Sequence, residues 1–335
     1  MTKELAGNCL TDIPGLWVGH YMDIEAASGL SVVLCPQGAV TGVDVRGSAP
    51  GTRETDLLNP VNLIEKVQAV VLSGGSVYGL AHSDAVVRWL AEQGYGFPLD
   101  DSHVAPIVPA AVLYDLGRGN TFVPPITQDW AIQACREAAG DPLASGSLGA
   151  GTGAQAGSIK GGVGSAACRL ESGHLVAALI AVNSNGSVIN TNTGRPWEIG
   201  LERDGEFGRQ GQRAVRLPPA PASGAARNTT IGVVATDALL TKPQATKIAQ
   251  MAQDGLARAI RPAHTMFDGD TLFCLATGAH PLADTEGFFQ VQAAQAVNEI
   301  GQAAADCTSR AIIQGVLSAA SLGELTAFSD LPDRG

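Results

Sequence analysis

The chain has 335 residues, 45% of them hydrophobic and 16% charged, which supports a sizeable core and excludes a disordered chain. Its formal charge of -11, without any cluster of Lys or Arg, excludes the basic face that nucleic-acid phosphates require. No apolar run reaches spanning length without Gly or polar breaks, and Met1-Thr2-Lys3-Glu4-Leu5 leads into no signal core. A soluble, cytoplasmic protein with no membrane partner is therefore expected.

Short apolar runs bounded by Gly, Asn or Asp predict strands buried on both faces. The first two cover 30–34 and 69–72. A helix is expected over 77–92, a strand over 104–113 and a second helix over 127–139. Residues 158–182 pattern as a hairpin turning at Glu171-Ser172-Gly173-His174, so that 175–182 is its returning strand. Strands follow at 231–235 and 271–276. Between them Ile248, Met251, Ala252, Leu256 and Ile260 keep helical spacing, with Thr241 as a candidate N-cap. The Ala-, Gln- and Val-rich stretch 288–322 predicts one or two packed helices. Buried strands with helices outside them imply a layered α/β or α+β architecture, taken as one domain over 1–335.

Several motifs are bland. Cys9, Cys35, Cys135, Cys168, Cys274 and Cys307 are scattered without a C-x-x-C pair and read as buried thiols, not as a disulfide framework. The six histidines form no metal-ligand pair, so neither metal nor cofactor is expected. Gly149-Ala150-Gly151-Thr152-Gly153-Ala154 fits a dinucleotide fingerprint but lacks the preceding apolar strand, and reads as a flexible loop near the active site.

One stretch breaks the pattern. Residues 201–228 are polar, then rich in Arg, Pro, Ala and Gly, which is a linker composition. At Asn228-Thr229-Thr230 the chain turns abruptly into an apolar strand. A linker feeding a central strand suits a precursor that cuts itself and presents a new terminus rigidly. Threonine suits the task, because a first-residue hydroxyl can be deprotonated by its own α-amine, whose ordinary pKa is roughly 8. Its branched Cβ also keeps the hydroxyl aimed. Thr230 is a chemical rival, and an ordinary linker before a strand is the plain alternative.

The flanking motifs add a family resemblance. Asn228-Thr229-Thr230-Ile231, His264-Thr265-Met266-Phe267-Asp268-Gly269-Asp270-Thr271, Val43-Asp44-Val45-Arg46-Gly47, Gly74-Gly75-Ser76-Val77-Tyr78-Gly79 and Val112-Leu113-Tyr114-Asp115 stand in collinear order. Together they resemble the L-aminopeptidase/D-esterase (DmpA) family, nearest its nylon-oligomer hydrolase branch, over roughly 12–321. The resemblance implies a four-layer αββα sandwich of the α+β class, related to the ornithine acetyltransferase fold and Ntn-hydrolase-like. It further implies autocleavage into a large chain, 1–228, and a small chain, 229–335, assembled as a homo-oligomer, a tetramer of such pairs. By position it places the nucleophile at Thr229, with Lys160, Asn183, Tyr114 and the acidic pair Asp268 and Asp270 around it. Asn183 would serve the oxyanion, Lys160 the nucleophile's proton, and the aspartates the α-ammonium. The expected substrate is a small amide or peptide, including β-peptides and ω-amino-acid oligomers. An aminopeptidase/D-esterase, a threonine acyltransferase, or an unprocessed, non-catalytic binding or assembly protein are the alternatives.

Overall fold

The structure is a computed structural model, and it describes Leu5 and residues 7–219, 228–282 and 291–334. Nine strands make the principal sheet: β1 (Trp17–Asp23), β2 (Ser28–Val45), β3 (Gly51–Arg53), β4 (Lys66–Ser73), β5 (Ala110–Val112), β6 (Gly162–Arg169), β7 (Leu175–Val182), β8 (Ile231–Ala238) and β9 (Thr271–His280). Their order is β6-β7-β8-β9-β2-β4-β5-β3, with β1 paired to β2. β8 and β9 run parallel, as do β4 and β5, and the other neighbours are antiparallel.

β2 is the hinge of this order. Its first part, around Leu30 to Leu34, pairs with β1 and β4, and its last part, Val40 to Val45, pairs with β9. A register shift between Leu34 and Ala39 lets one long strand pass from one layer into the other. Side chains along each strand alternate between two cores. On β7, Val176, Ala178 and Ile180 pack with the helices α3 (Lys242–Ala259) and α4 (Val291–Leu317). Leu175, Ala177, Leu179 and Ala181 point the other way, toward Val33, Val70 and Leu72 of β2 and β4. The opposite face of β2 and β4, with Leu30, Val32 and Val71, meets α1 (His82–Glu92) and α2 (Gln128–Glu137). Three stacked cores define four layers, αββα. Strands covered on both faces read as continuous apolar runs.

Close packing uses small residues. A Cβ on Gly164 of β6 would lie 2.1 Å from the Ala311 carbonyl oxygen, so only glycine lets α4 settle onto that strand. α3 starts at Thr241 as expected, where the Gln244 side chain accepts the Thr241 N–H at 2.8 Å. α4 is one helix, and the expected start at 288–290 lies outside the described residues.

Four expectations need correction. The run 104–113 is no single strand: Pro106 and Pro109 remove ladder donors, and Val104–Ala105 pairs instead with Phe97–Pro98. The helix 77–92 opens as a 3-10 turn, Ser76–Ala81, before α1. Gly149–Gly151 is a buried 3-10 turn, not an open loop. The stretch from 201 is folded through 219, and 220–227 lie outside the described residues. Its composition concealed two anchors, the buried Phe207 and Glu206.

Glu206 holds Arg310 of α4 through a two-pronged pair, Arg310 Nε to Oε1 at 2.6 Å and Nη2 to Oε2 at 2.8 Å. Both side chains are nearly inaccessible, 8% and 2%. Glu206→Gln leaves a buried guanidinium without its counter-charge and is expected to destabilise the protein by about 3–5 kcal/mol. Urea unfolding of the variant beside wild type measures this; a loss below about 1 kcal/mol would show the pair to be effectively solvated.

Candidate active site

Parallel pairing of β8 and β9 brings their entering segments side by side. Asn228 bridges Asp268, with Asn228 N–H donating to Phe267 O at 3.3 Å and Gly269 N–H to Asn228 O at 3.3 Å. β7 flanks β8 on the other side, and Asn183, the residue after its last position, accepts the Thr229 N–H on its backbone carbonyl at 2.5 Å. Asn228 and Thr229 are both buried, at 8% and 5% exposure.

The hydroxyl of Thr229 is placed against the bond that precedes it. Oγ1 donates to the Asn228 carbonyl oxygen at 2.5 Å, and Gly269 N–H donates to Oγ1 at 3.2 Å. One backbone N–H thus reaches both the hydroxyl and the carbonyl it faces. A Cβ at Gly269 would stand 2.5 Å from Ala49 O and 3.0 Å from Thr229 Oγ1. Gly269→Ala is therefore expected to slow turnover by roughly 10²-fold, with smaller change in KM, because it displaces the donor and hydroxyl together. Equal kcat values for the two proteins would refute this.

The aspartates organise the loops around this point. Asp270 accepts Thr230 N–H at 2.8 Å on Oδ1, and His264 N–H and Nδ1 at 3.0 and 2.9 Å on Oδ2. Asp268 accepts Asn185 N–H at 3.1 Å on Oδ1, and Thr265 N–H at 3.1 Å on Oδ2 together with the Thr265 hydroxyl. Burial, and then the neighbouring Asp270, push the Asp268 carboxyl above the ordinary carboxylate range. Both acids hold backbone next to Thr229, and neither bonds its hydroxyl among the described residues.

Asn183 and Lys160 belong to a second network behind the strand ends. Asn183 Oδ1 accepts Arg118 Nη1 at 2.6 Å and Gln155 N–H at 3.0 Å, while Nδ2 donates to Tyr114 O at 3.1 Å. Asn183 thus meets Thr229 through its backbone carbonyl, with its side chain turned toward the Tyr114–Arg118 loop. Lys160 is fully buried and donates to Gly151 O and Gly161 O, each at 2.8 Å. Burial drives its pKa down to about 7; the Arg118 charge pushes the same way and Asp115 opposes both. Asp115 itself, buried and accepting Gly75 N–H at 2.7 Å, is lifted by that burial to about 6. No hydrogen bond joins Lys160 to Thr229 among the described residues.

Tyr114 lines a cavity of about 480 Å³ with Asn228, Thr229, Val77, Met266 and Phe267, whose walls are mainly apolar. Sequence reasoning missed Arg118 and Gly269. The signal for Arg118 was an Asp-x-x-Arg pair, Asp115 and Arg118, just beyond an apolar run. Gly269 stood in plain view between the two acids, but its contribution is a backbone N–H. Among the described residues no group of three or more His, Cys, Asp or Glu is arranged to hold a metal, and no helix is long and apolar enough to cross a membrane.

Known proteins agree with this architecture. The model of peptidase family S58 matches residues 8–327. An aminopeptidase of Mycobacterium bovis, described as uncharacterized, is 45% identical over 97% of this chain and 98% of its own. The 6-aminohexanoate-oligomer endohydrolase of Paenarthrobacter ureafaciens is 31% identical over 82% of this chain and 77% of its own. The solved L-aminopeptidase D-Ala-esterase/amidase of Ochrobactrum anthropi, described as a variant of the Ntn-hydrolase fold, superposes with a TM-score of 0.70. It covers 95% of this chain and 88% of that one at 21% identity. Fold and relatives together define a hydrolase of peptide or amide bonds built on an Ntn-hydrolase-like sandwich. The chain belongs to peptidase family S58, the DmpA family.

Proposed function

We propose that the chain cleaves itself between Asn228 and Thr229 and then works as an amide hydrolase with Thr229 as N-terminal nucleophile. The observation that carries this reading is the placement of Thr229 Oγ1 beside the bond that precedes it, hydrogen-bonded to the Asn228 carbonyl oxygen at 2.5 Å, with Gly269 N–H within reach of both oxygens. In self-cleavage Oγ1 bonds to the Asn228 carbonyl carbon, and Gly269 N–H stabilises the developing oxyanion. The C–N bond breaks, the hydroxyl proton passes to the departing nitrogen, and the Asn228 acyl group rests on Oγ1 as an ester. Water hydrolyses that ester, leaving an Asn228 carboxylate and a free Thr229 amine.

In turnover the new amine accepts the hydroxyl proton. Oγ1 takes the substrate acyl group, the amine product leaves, and water releases the acid. Asn183 O, which binds the Thr229 N–H before cleavage, keeps an acceptor beside the amine afterwards. Asp268 and Asp270 fix the loops that carry Gly269, and Asn183, Lys160 and Tyr114 frame the rear and side of the pocket. The cavity's apolar walls at Val77, Met266 and Phe267 favour acyl groups with an aliphatic stretch. Small amides, β-peptides and ω-amino-acid oligomers fit that description, and the 31% identity to an oligomer endohydrolase supports the last class. Assembly of the processed pairs into tetramers is part of the same proposal.

Intact-mass analysis of purified wild type tests the cleavage. Two fragments are expected, one ending at Asn228 and one starting at Thr229. A single 335-residue chain, or a fragment starting at Thr230, overturns the assignment.

A further inference from the structure

Two of the six buried thiols face one another across the layer between β6 and α4. Cys168, one residue before the end of β6, accepts a hydrogen bond from the Cys307 thiol of α4 at a sulfur–sulfur distance of 3.7 Å. Cys307 also points at Val176 O, at 3.6 Å. One turn further along α4, Arg310 Nη1 lies 3.9 Å from Cys307 Sγ. That guanidinium is clamped by Glu206, by Ala167 O at 2.9 Å and by Asn8 Oδ1 at 2.8 Å. The pair therefore sits beside a fixed buried cation, and the proposed hydrolysis does not use it.

We propose that Cys168 and Cys307 are a thiol pair that peroxide converts to a disulfide, tying the large and small chains of the processed enzyme together. The bond itself depends on the sulfur geometry; its joining of two chains rests on the proposed cleavage at Asn228–Thr229, since Cys168 precedes that bond and Cys307 follows it.

The pair is chemically distinct from its neighbours. The bond donated by Cys307 holds the Cys168 thiol below the ordinary range, against burial and with help from the Arg203 and Arg310 charges. Cys307 is raised correspondingly, by its bond to Cys168 and by burial. Burial lifts Cys35, Cys135 and Cys274 to about 12, so those thiols are poor nucleophiles. Cys168 is 2% exposed and Cys307 fully buried, so only a small oxidant can reach the pair. Hydrogen peroxide is nearly as small as water and suits such a site better than a bulky disulfide reagent.

The chemistry balances with peroxide as the oxidant. The Cys168 thiolate attacks one peroxide oxygen, an S–O bond forms, the O–O bond breaks and the departing hydroxide takes a proton to become water. Cys307 sulfur then attacks the Cys168 sulfenic acid, the S–O bond breaks, and the Cys307 proton leaves with hydroxide as a second water. To form the disulfide the sulfurs close from 3.7 Å to roughly 2.05 Å.

Oxidation of purified protein with dilute peroxide, followed by alkylation under denaturing conditions, tests the proposal. Two of the six thiols should resist alkylation, and digestion should yield a reducible peptide linking Cys168 to Cys307. On a non-reducing gel the processed chains should run as one band that a reductant splits, and Cys168→Ala should abolish that band. The uncleaved Thr229→Ala protein should give the same linked peptide. Failure of cleavage would thus remove the gel shift and spare the peptide. Full alkylation of both thiols, a link between other cysteines, or Cys168 carried to sulfinic acid without a link would overturn the proposal.

Discussion

Thr229→Ala is expected to remain one uncut chain and to lose turnover by ~10⁴-fold or more. The variant removes the side-chain hydroxyl that touches the Asn228 carbonyl, so the acyl shift has no nucleophile. Its fold should persist, because Thr229 N–H still donates to Asn183 O and the β8–β9 pairing is unaffected. Thr229→Ser keeps an oxygen and loses the branched Cβ that aims it, so cleavage should continue at roughly a tenth of the rate. Thr230→Ala is the discriminating control. Thr230 lies one residue further in, its N–H held by Asp270 and its hydroxyl buried without a partner among the described residues. That variant should still cut before Thr229. A Thr229→Ala protein that cuts itself, or a Thr230→Ala protein that does not, would move the nucleophile.

Lys160→Met should separate activity from stability. An ammonium with no solvent exposure and a pKa near 7 exchanges its proton near neutrality, as a proton-handling group behind the site must. Loss of kcat by roughly 10²–10⁴-fold is expected. The stability effect has a definite sign. Unfolded, the lysine keeps its proton to about 10.5; folded, it releases it above about 7. The unfolded chain therefore binds more protons between those values, and wild-type stability should rise with pH there and fall as pH drops through 7. From pH 7 to 9 the rise attributable to Lys160 is about 2 kcal/mol, and the Lys160→Met variant lacks that contribution. Urea unfolding of both proteins at several pH values reads the difference. Parallel curves would mean that Lys160 titrates like a solvated lysine. An unchanged kcat would remove it from the catalytic machinery.

The sequence marked those candidate-site residues that lie at strand ends. Asn183 and Thr229 each follow or precede a long apolar run, and those runs became β7 and β8. The acidic pair stood just before the run that became β9. Arg118 was hidden because its partners, Asn183 and Gly153, lie 65 and 35 residues away, and its one local cue, Asp115 three residues before it, does not name them. The same reason hid Glu206, a charged residue in a polar stretch whose partner Arg310 is 104 residues distant.

By itself the sequence determined the layered class, most of the buried strands and the residues flanking the Asn228–Thr229 bond. Apolar period and composition are local properties, and strands covered on both faces write them plainly. The tertiary structure decided what those residues touch. It turned the Asn183 amide toward Arg118, pairing its backbone carbonyl with Thr229 instead. It also assigned the two aspartates to loop backbone and set Gly269 N–H against the hydroxyl. Hydrogen-bond direction and proton affinity depend on neighbours that only the folded chain assembles, which is why they had to be read from the structure.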